Sequence, residues 1–520
     1  MSIDNSFQNS KQFLSKNSLK ILIFLVMGGI LIRLYFTPFQ VPLSLDAIDY
    51  FAYSIAMNRE GGFPQEYLPR NPGWSTLLSM FFFNSHNLTI FELMDIQRIL
   101  SILISSVTII PIYLLTKIFF KKEIAIIGAS LVIFDPRLIE NSILGIPDSL
   151  FIFFTVLTML FIFFRKGKFV YMSFIFSAMA AFVRFEGLLL IVPLVLACIL
   201  ERNILKYSKR NFILGILLFL FIIIPINFIN YNETGQTTIF SQVFEPGRYV
   251  SEVIIGGESD DDDEFFGNNV ENKIEIFIKN AFTGLIKYFG WILIPTYIIF
   301  CLLGIIFMPK KITKRKIIFS IFFIFLMASS IYAFGRGIQE TRYLLVLIPL
   351  ITMLSCYGIK FLDRFERKII LTSIFLIIIS ISLWFVENNN ESDTEYEIYE
   401  ATLFLVGQAN GVNSYEGGKF IKVVELQNKW PELLDQGDNG KMITSTKKFP
   451  INDFTDPIDF IKFNSEKGLT HLLVTKENDF FKDVFDNEEK YSFLEKIYDS
   501  EELGKISKHK IFKINYEKMK

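Results

Sequence analysis

The sequence predicts a mainly α fold: a polytopic bundle of about eleven transmembrane helices, an external loop carrying an amphipathic helix, and a small C-terminal soluble α/β domain. Three observations predict it. Apolar residues make up 51% of the chain, 58 of its 520 residues are phenylalanine, and only 20% are charged, less charge than a soluble globule carries. The apolar residues gather in runs of about 17–25, the length that crosses a hydrocarbon core. Past about residue 388 the composition turns polar and the apolar runs shorten.

Taken in order, the candidate spans lie at about 20–38, 98–120, 123–135, 148–164, 169–183, 188–200, 211–230, 284–308, 316–334, 343–359 and 369–386. Several are short for a straight crossing, which points to tilted or broken helices. Residues 1–19 are polar, and the run that follows carries no small-residue cleavage site. That run is expected to stay as a helix, not to leave as a signal peptide. Basic clusters fall in every second connection: Lys121–Lys122, RKGK at 165–168, the stretch 201–210, PKKITKRK at 309–316 and KFLDRFERK at 360–368. Lys11, Lys16 and Lys20 join the same side, which the positive-inside rule makes cytoplasmic. The external connections are then 39–97, 136–147, the RFEG turn at 184–187, 231–283 and 335–342.

The expected organisation is a cytoplasmic N-terminus at 1–19, a transmembrane catalytic domain at 20–387 and an extracytoplasmic domain at 388–520, in a multi-pass protein of the plasma membrane. Within the last part, KFIKVVEL (419–426), THLLVT (470–475) and KHKIFKINY (508–516) look strand-like, and EEKYSFLEKIYDS (488–500) looks helix-like. It shows no nucleotide-binding glycine loop and no metal cluster. ESDDDDE (258–264) reads as a solvated acidic stretch. A net charge of -1 gives no sign of a nucleic-acid partner. Cys198, Cys301 and Cys356 fall in apolar runs, with no disulfide or zinc framework.

The first external loop holds VPLSLDAIDYFAYSIAMN (41–58). On a helix, Asp46, Asp49, Tyr50 and Tyr53 share one face, and Ile48, Phe51, Ala52 and Ile55 another. Such a helix suits a membrane surface, with two acids and two phenols along its polar stripe. An ordinary interfacial helix fits the same pattern. No lysine occurs between Leu34 and Thr116, yet Arg59, Arg70 and Arg98 do. Arg184 and Glu186 form VRFEG between two apolar runs, and Arg336 and Arg342 flank GIQET. Ionisable groups at the hydrocarbon edge are costly and tend to be functional. Arginine suits phosphate through its planar, always-charged fork. Acids with arginines on the external face therefore suggest a site for a phosphate-bearing lipid. Helix-end arginines snorkelling to the headgroups are the plainer alternative for Arg184 and Arg33.

Four segments carry a resemblance to a known group: LDAIDYF in the first loop, NPGW (71–74) leading into an apolar run, AAFVRFEGLLLIVPL (180–194), and ETRYLLVLIPL (340–350). Together they resemble the GT-C superfamily of membrane glycosyltransferases, which includes protein mannosyltransferases and aminoarabinose transferases. The resemblance covers about residues 30–386, and the order of the segments is more specific than any one of them. It implies transfer of a sugar from a polyprenyl-phosphate donor to a glycan, lipid or protein acceptor. It implies that the first-loop acid is catalytic. Asp46 matches that position best and Asp49 is its rival. Glu140 or Asp148 would assist from the next external loop. Asp148 reads equally as an acid facing a helix dipole. Arg184, Glu186, Arg336, Arg342, Tyr343 and Tyr50 would line the donor phosphate and substrate. A divalent cation held by Asp46 and Asp148 is compatible with this but not required by it.

Three other readings remain at this stage. An oligosaccharyltransferase-like subunit would carry a WWDYG-type motif in its soluble domain, where this chain has only Trp430. A flippase for lipid-linked saccharides would show internal repeats, and none is clear. A non-catalytic membrane assembly protein would keep the acids for structure alone.

Overall fold

The apolar runs fold as helices in the computed structural model, which describes residues 18–64, 71–82, 88–164, 169–200, 209–234, 273–363, 368–408, 418–435, 449, 454–476, 478–506 and 508–519. The polar N-terminal segment, Arg70, the clusters at 165–168 and 201–208, the acidic run at 258–264 and residues 364–367 lie outside the described residues. The chain forms two units: residues 1–37, 60–78 and 97–389, and residues 38–59, 79–96 and 390–520.

The first unit is helical. Across the described residues of the whole chain, five helices are long and apolar enough to cross a membrane: Ser18–Tyr35, Ile90–Phe119, Arg210–Ile229, Lys314–Gly335 and Thr372–Gly407. Counting Ile274–Leu293 and Ile298–Phe307 as one span bent by 104° makes six. Asp148–Phe163, Val170–Val183 and Phe185–Leu200 are apolar but shorter. The second span begins at Ile90, earlier than the start near residue 98 that hydropathy gives. The cause is a capping box. The Thr89 N–H donates to the Glu92 carboxylate at 2.7 Å, and the Glu92 N–H donates to the Thr89 hydroxyl at 3.3 Å, so the polar first turns are helical too.

Lys209–Thr234 shows how the surface is used. Ile213, Leu217, Phe221, Ile224 and Phe228 are all exposed, which is the face a lipid-contacting helix presents. Between helices, small polar residues such as Thr155, Thr158, Ser173 and Ser177 are buried. Arg33 does not snorkel. It is 1% exposed and donates to the Ser142 hydroxyl at 3.1 Å and to the Ile133 and Gly29 carbonyls at 3.1 and 3.2 Å. It ties the first span to the Pro136–Ile143 helix.

The second unit carries a three-stranded antiparallel sheet: β1 (His471–Thr475), β2 (Leu494–Asp499) and β3 (His509–Ile514), with β3 central. Its core joins Phe460, Ile461, Leu472, Val474, Phe481, Phe485 and Phe512. Two local expectations are corrected here. KFIKVVEL lies in the Gly418–Asp435 helix. Phe420, Ile421, Val423, Val424 and Leu426 are all buried, so packing overrides the strand preference of its β-branched residues. The helix-like stretch 488–500 is a 3-10 turn, Glu488–Lys490, followed by β2. As an edge strand, β2 leaves Glu495 and Lys496 in solvent, and its register slips between Lys496 and Tyr498. That charge and irregularity imitate a helical period.

Candidate active site

The DAIDYFAYSI stretch is helical as expected, over Asp46–Glu60. It is less amphipathic than its spacing suggested. Phe51 to Met57 are all buried, Tyr53 and Ser54 included, and exposure is confined to the first turns and Asn58 onward. Asp46 is exposed, while Asp49 and Tyr50 are half-buried. Leu45, just before Asp46, has a φ of 51°. A branched side chain in the left-handed region costs about 1–3 kcal/mol and is characteristic of functional sites. Within the same unit, the Lys422 ammonium of the Gly418–Asp435 helix donates to both carboxylate oxygens of Asp49, at 2.8 and 3.0 Å.

The first unit gathers the other segments. The Val170–Val183 helix ends at Arg184, which is extended (φ -145°, ψ 136°) and is followed by the 3-10 turn Phe185–Leu190. Gly187 is required in that turn, because a Cβ there would strike the backbone of Ala180 and Ala181. The fold at Arg184 points its guanidinium at two acids. Nη2 donates to Glu186 at 2.7 Å, Nε to the same carboxylate at 3.2 Å, and Nη1 to Asp148 in the first turn of the Asp148–Phe163 helix. Asp148 and Glu186 are 3% and 4% exposed. The Tyr343 ring lies 5.5 Å from the Arg184 guanidinium, and the Tyr343 carbonyl accepts from the Ser330 hydroxyl at 2.8 Å. Arg342 pairs with Glu340.

NPGW completes this arrangement. Gly73 lies so close to the VRFEG segment that a Cβ would come within 2.6 Å of the Phe182 carbonyl oxygen. The Trp74 indole donates to the Gly145 carbonyl at 2.9 Å, and the Gln97 amide donates to the same oxygen at 2.8 Å. Both side chains are fully buried. Gly145 has a φ of 74°, and the turn it opens leads within three residues to Asp148. Three of the four segments thus converge around one carboxylate–arginine cluster.

The cluster holds two carboxylates and one guanidinium, so fully ionised it is an acid in excess. The Oδ2 atom of Asp148 is buried and accepts no hydrogen bond. Among the described residues no group of three or more His, Cys, Asp or Glu side chains is placed to hold a metal ion. Glu140 has other company: Arg137 at 3.1 Å and Asn389 at 3.5 Å, with the Arg137 guanidinium 4.9 Å from Trp291 and 4.4 Å from Phe385. Burial pushes the Glu140 carboxyl above its ordinary range against the pull of Arg137. Arg336 lies 5.8 Å from the Tyr332 ring.

Comparison with known families places a domain of the dolichyl-phosphate-mannose-protein mannosyltransferase family on residues 81–228, the stretch that contains Asp148, Arg184 and Glu186. That match covers less than a third of the chain. No curated protein matches it. Among solved structures, this chain is similar to the Archaeoglobus fulgidus oligosaccharyltransferase in complex with Zn and sulfate, with a TM-score of 0.54, 12% identity, and coverage of 93% of this chain and 72% of that one. The apo form of the same protein gives a TM-score of 0.51 at 12% identity, covering 88% and 69%. At that identity the likeness speaks for the fold. The chain is a multi-pass integral membrane protein, with five helices, or six counting the bent pair, long and apolar enough to cross a membrane among the described residues. Sequence reasoning about it missed Lys422, Gln97 and the pairing of Arg184 with Asp148. Only NPGW offered a signal, through its Gly–Trp pair ahead of an apolar run.

Proposed function

We propose that the enzyme transfers a sugar from a polyprenyl-phosphate donor to a glycan, lipid or protein acceptor at the external membrane face. The support is the meeting of NPGW, the Asp148 turn, VRFEG and Tyr343 at one cluster, in a chain whose family domain is described by a dolichyl-phosphate sugar donor. The shorter apolar helices are read as tilted spans of a bundle of about eleven, with the N-terminus cytoplasmic and residues 388–520 outside.

In this reading Asp46 removes the proton from the acceptor hydroxyl. The acceptor oxygen bonds to the anomeric carbon as the carbon–oxygen bond to phosphate breaks, inverting the centre. The phosphate leaves with the electron pair. The arginines divide the work. Arg184 is committed to two buried carboxylates and orients Asp148 and Glu186. Arg342 is 23% exposed and its partner Glu340 is 48% exposed, so Arg342 exchanges partners more cheaply and meets the departing phosphate. Asp46→Asn should lower transfer by about 10²–10⁴ while the protein still inserts and folds. If Asp49→Asn has that effect and Asp46→Asn does not, the base is Asp49. If neither does, the catalytic reading of this loop fails. The oligosaccharyltransferase reading shares the fold but lacks its motif: Trp430 is the only tryptophan after residue 388.

A further inference from the structure

The loop between Ile298–Phe307 and Lys314–Gly335 carries PKKITKRK (309–316), five cations in eight residues with no acid among them. Two of its lysines hold it in place. The Lys314 ammonium donates to the Leu200 carbonyl at 2.8 Å, at the end of the Ile191–Leu200 helix, and the Lys316 ammonium donates back across the loop to the Pro309 carbonyl. Thr313 caps the helix that follows, accepting from the Lys316 N–H at 3.4 Å. The Arg315 guanidinium lies 5.9 Å from the Phe119 ring. These contacts leave a projecting tip of Lys310, Lys311 and Ile312, all exposed. Neither Lys310 nor Lys311 makes a hydrogen bond or an ion pair among the described residues, and Ile312 is 77% exposed.

The flanking helices show what such a tip meets. Ile305, Ile306 and Ile317 are exposed on either side of the loop, the pattern of a lipid-contacting surface. The change from exposed isoleucines to lysines within a few residues marks the depth at which hydrocarbon gives way to headgroups. There a branched apolar side chain gains by entering the acyl boundary, and the ammonium groups beside it gain by meeting anionic headgroups. A loop that served topology alone would need its charges, but neither the lysine–carbonyl contacts that fix it nor an apolar tip.

We propose that Lys310, Lys311 and Ile312 form a docking site for anionic phospholipid headgroups. The two ammonium groups meet the lipid phosphate, Ile312 enters the acyl boundary, and the Lys314 and Lys316 contacts pre-form the loop. Nothing in this site depends on glycosyl transfer.

The test uses the full chain purified in mild detergent, titrated with phosphatidylglycerol or phosphatidylcholine and followed by native mass spectrometry. Wild type should retain phosphatidylglycerol in preference to phosphatidylcholine, and a photoactivatable phosphatidylglycerol should crosslink within PKKITKRK. Lys310→Gln with Lys311→Gln should weaken the tightest phosphatidylglycerol site about thirty-fold, the factor two cations contribute at an anionic surface, with the melting temperature in phosphatidylcholine unchanged. Ile312→Ser should weaken binding of both lipids about three- to ten-fold and leave the preference between them intact. Lys482→Gln with Lys518→Gln, the same charge change on exposed lysines of the other unit, should bind as wild type. Soluble glycerol phosphate should not compete; if it displaced the lipid, the loop would be a site for a free anion and the proposal would fall. Equal retention of the two lipids by wild type, wild-type affinity in the Lys310 and Lys311 double variant, or equal losses in the two double variants would also overturn it. So would an Ile312→Ser chain that binds both lipids as wild type does.

Discussion

Replacing Arg184 with methionine tests whether the cluster is held by charge. Methionine is an unbranched chain like the aliphatic stem of Arg184, so packing around that stem changes little. Its side chain is 13% exposed and those of Asp148 and Glu186 are 4% and 5% exposed, so neither acid gains water to replace the lost guanidinium. Breaking a buried pair from one side costs about 3–5 kcal/mol, because a charge is stranded. Here two are stranded, and Asp148 already has one oxygen without a hydrogen bond. Arg184→Met should therefore lower the melting temperature of the detergent-solubilised chain clearly, followed by intrinsic fluorescence during heating. The triple variant Arg184→Met, Asp148→Asn, Glu186→Gln strands no charge and should regain most of that loss without regaining transfer. Wild-type melting in the single variant would refute the reasoning. So would a triple variant no more stable than the single.

Two further outcomes follow from packing and protonation. Gly358 faces the Phe300 carbonyl where Ile348–Asp363 crosses Ile298–Phe307, with the Gly304 N–H 3.0 Å from where a Cβ would stand; Gly358→Ala should destabilise by about 1–3 kcal/mol. Gly28→Ala, with nothing within 4 Å, is the control and should melt as wild type. His509, fully buried on β3 and stacked on Tyr498 at 5.6 Å, is held down to about 4 by burial. Because the unfolded chain takes up that proton near pH 6.5, the sheet keeps its full stability above that pH and loses up to about 3 kcal/mol as pH falls toward 4. pH-corrected hydrogen exchange across β1 and β3 should show this loss, and His509→Phe should reduce it.

Much of the membrane part was legible because lipid imposes a coarse rule: long apolar runs become helices. The short candidate site was partly legible for a related reason. An arginine and a glutamate with almost no loop to float in must find partners, and VRFEG finds Asp148. What the sequence did not disclose was which partner. Arg184 was expected to face a phosphate, and the carboxylates it meets come from two separate places, Glu186 two residues on and Asp148 at the head of another helix. The convergence of Trp74 and Gln97 on the Gly145 carbonyl is invisible for the same reason, since a backbone oxygen has no signature.

In the C-terminal segment the difficulty was different. Short elements carry little periodicity. Phe420 to Leu426 pairs strand-forming residues with a helical fate, because burial on several sides removes the alternation that would have distinguished them. Leu494–Asp499 shows the reverse: an edge strand dressed in charge. Lys422 lacked any local mark at all. One lysine among many meets Asp49 only when folding brings the two together.

The most direct measurement of the central claim is the release of polyprenyl phosphate by the purified chain. Incubated with radiolabelled polyprenyl-phosphate mannose and acceptor membranes, wild type should move label to acceptor and liberate an equal amount of polyprenyl phosphate, and Asp46→Asn should do neither. Label that stays on the lipid with wild type, or equal release by Asp46→Asn, would contradict the account.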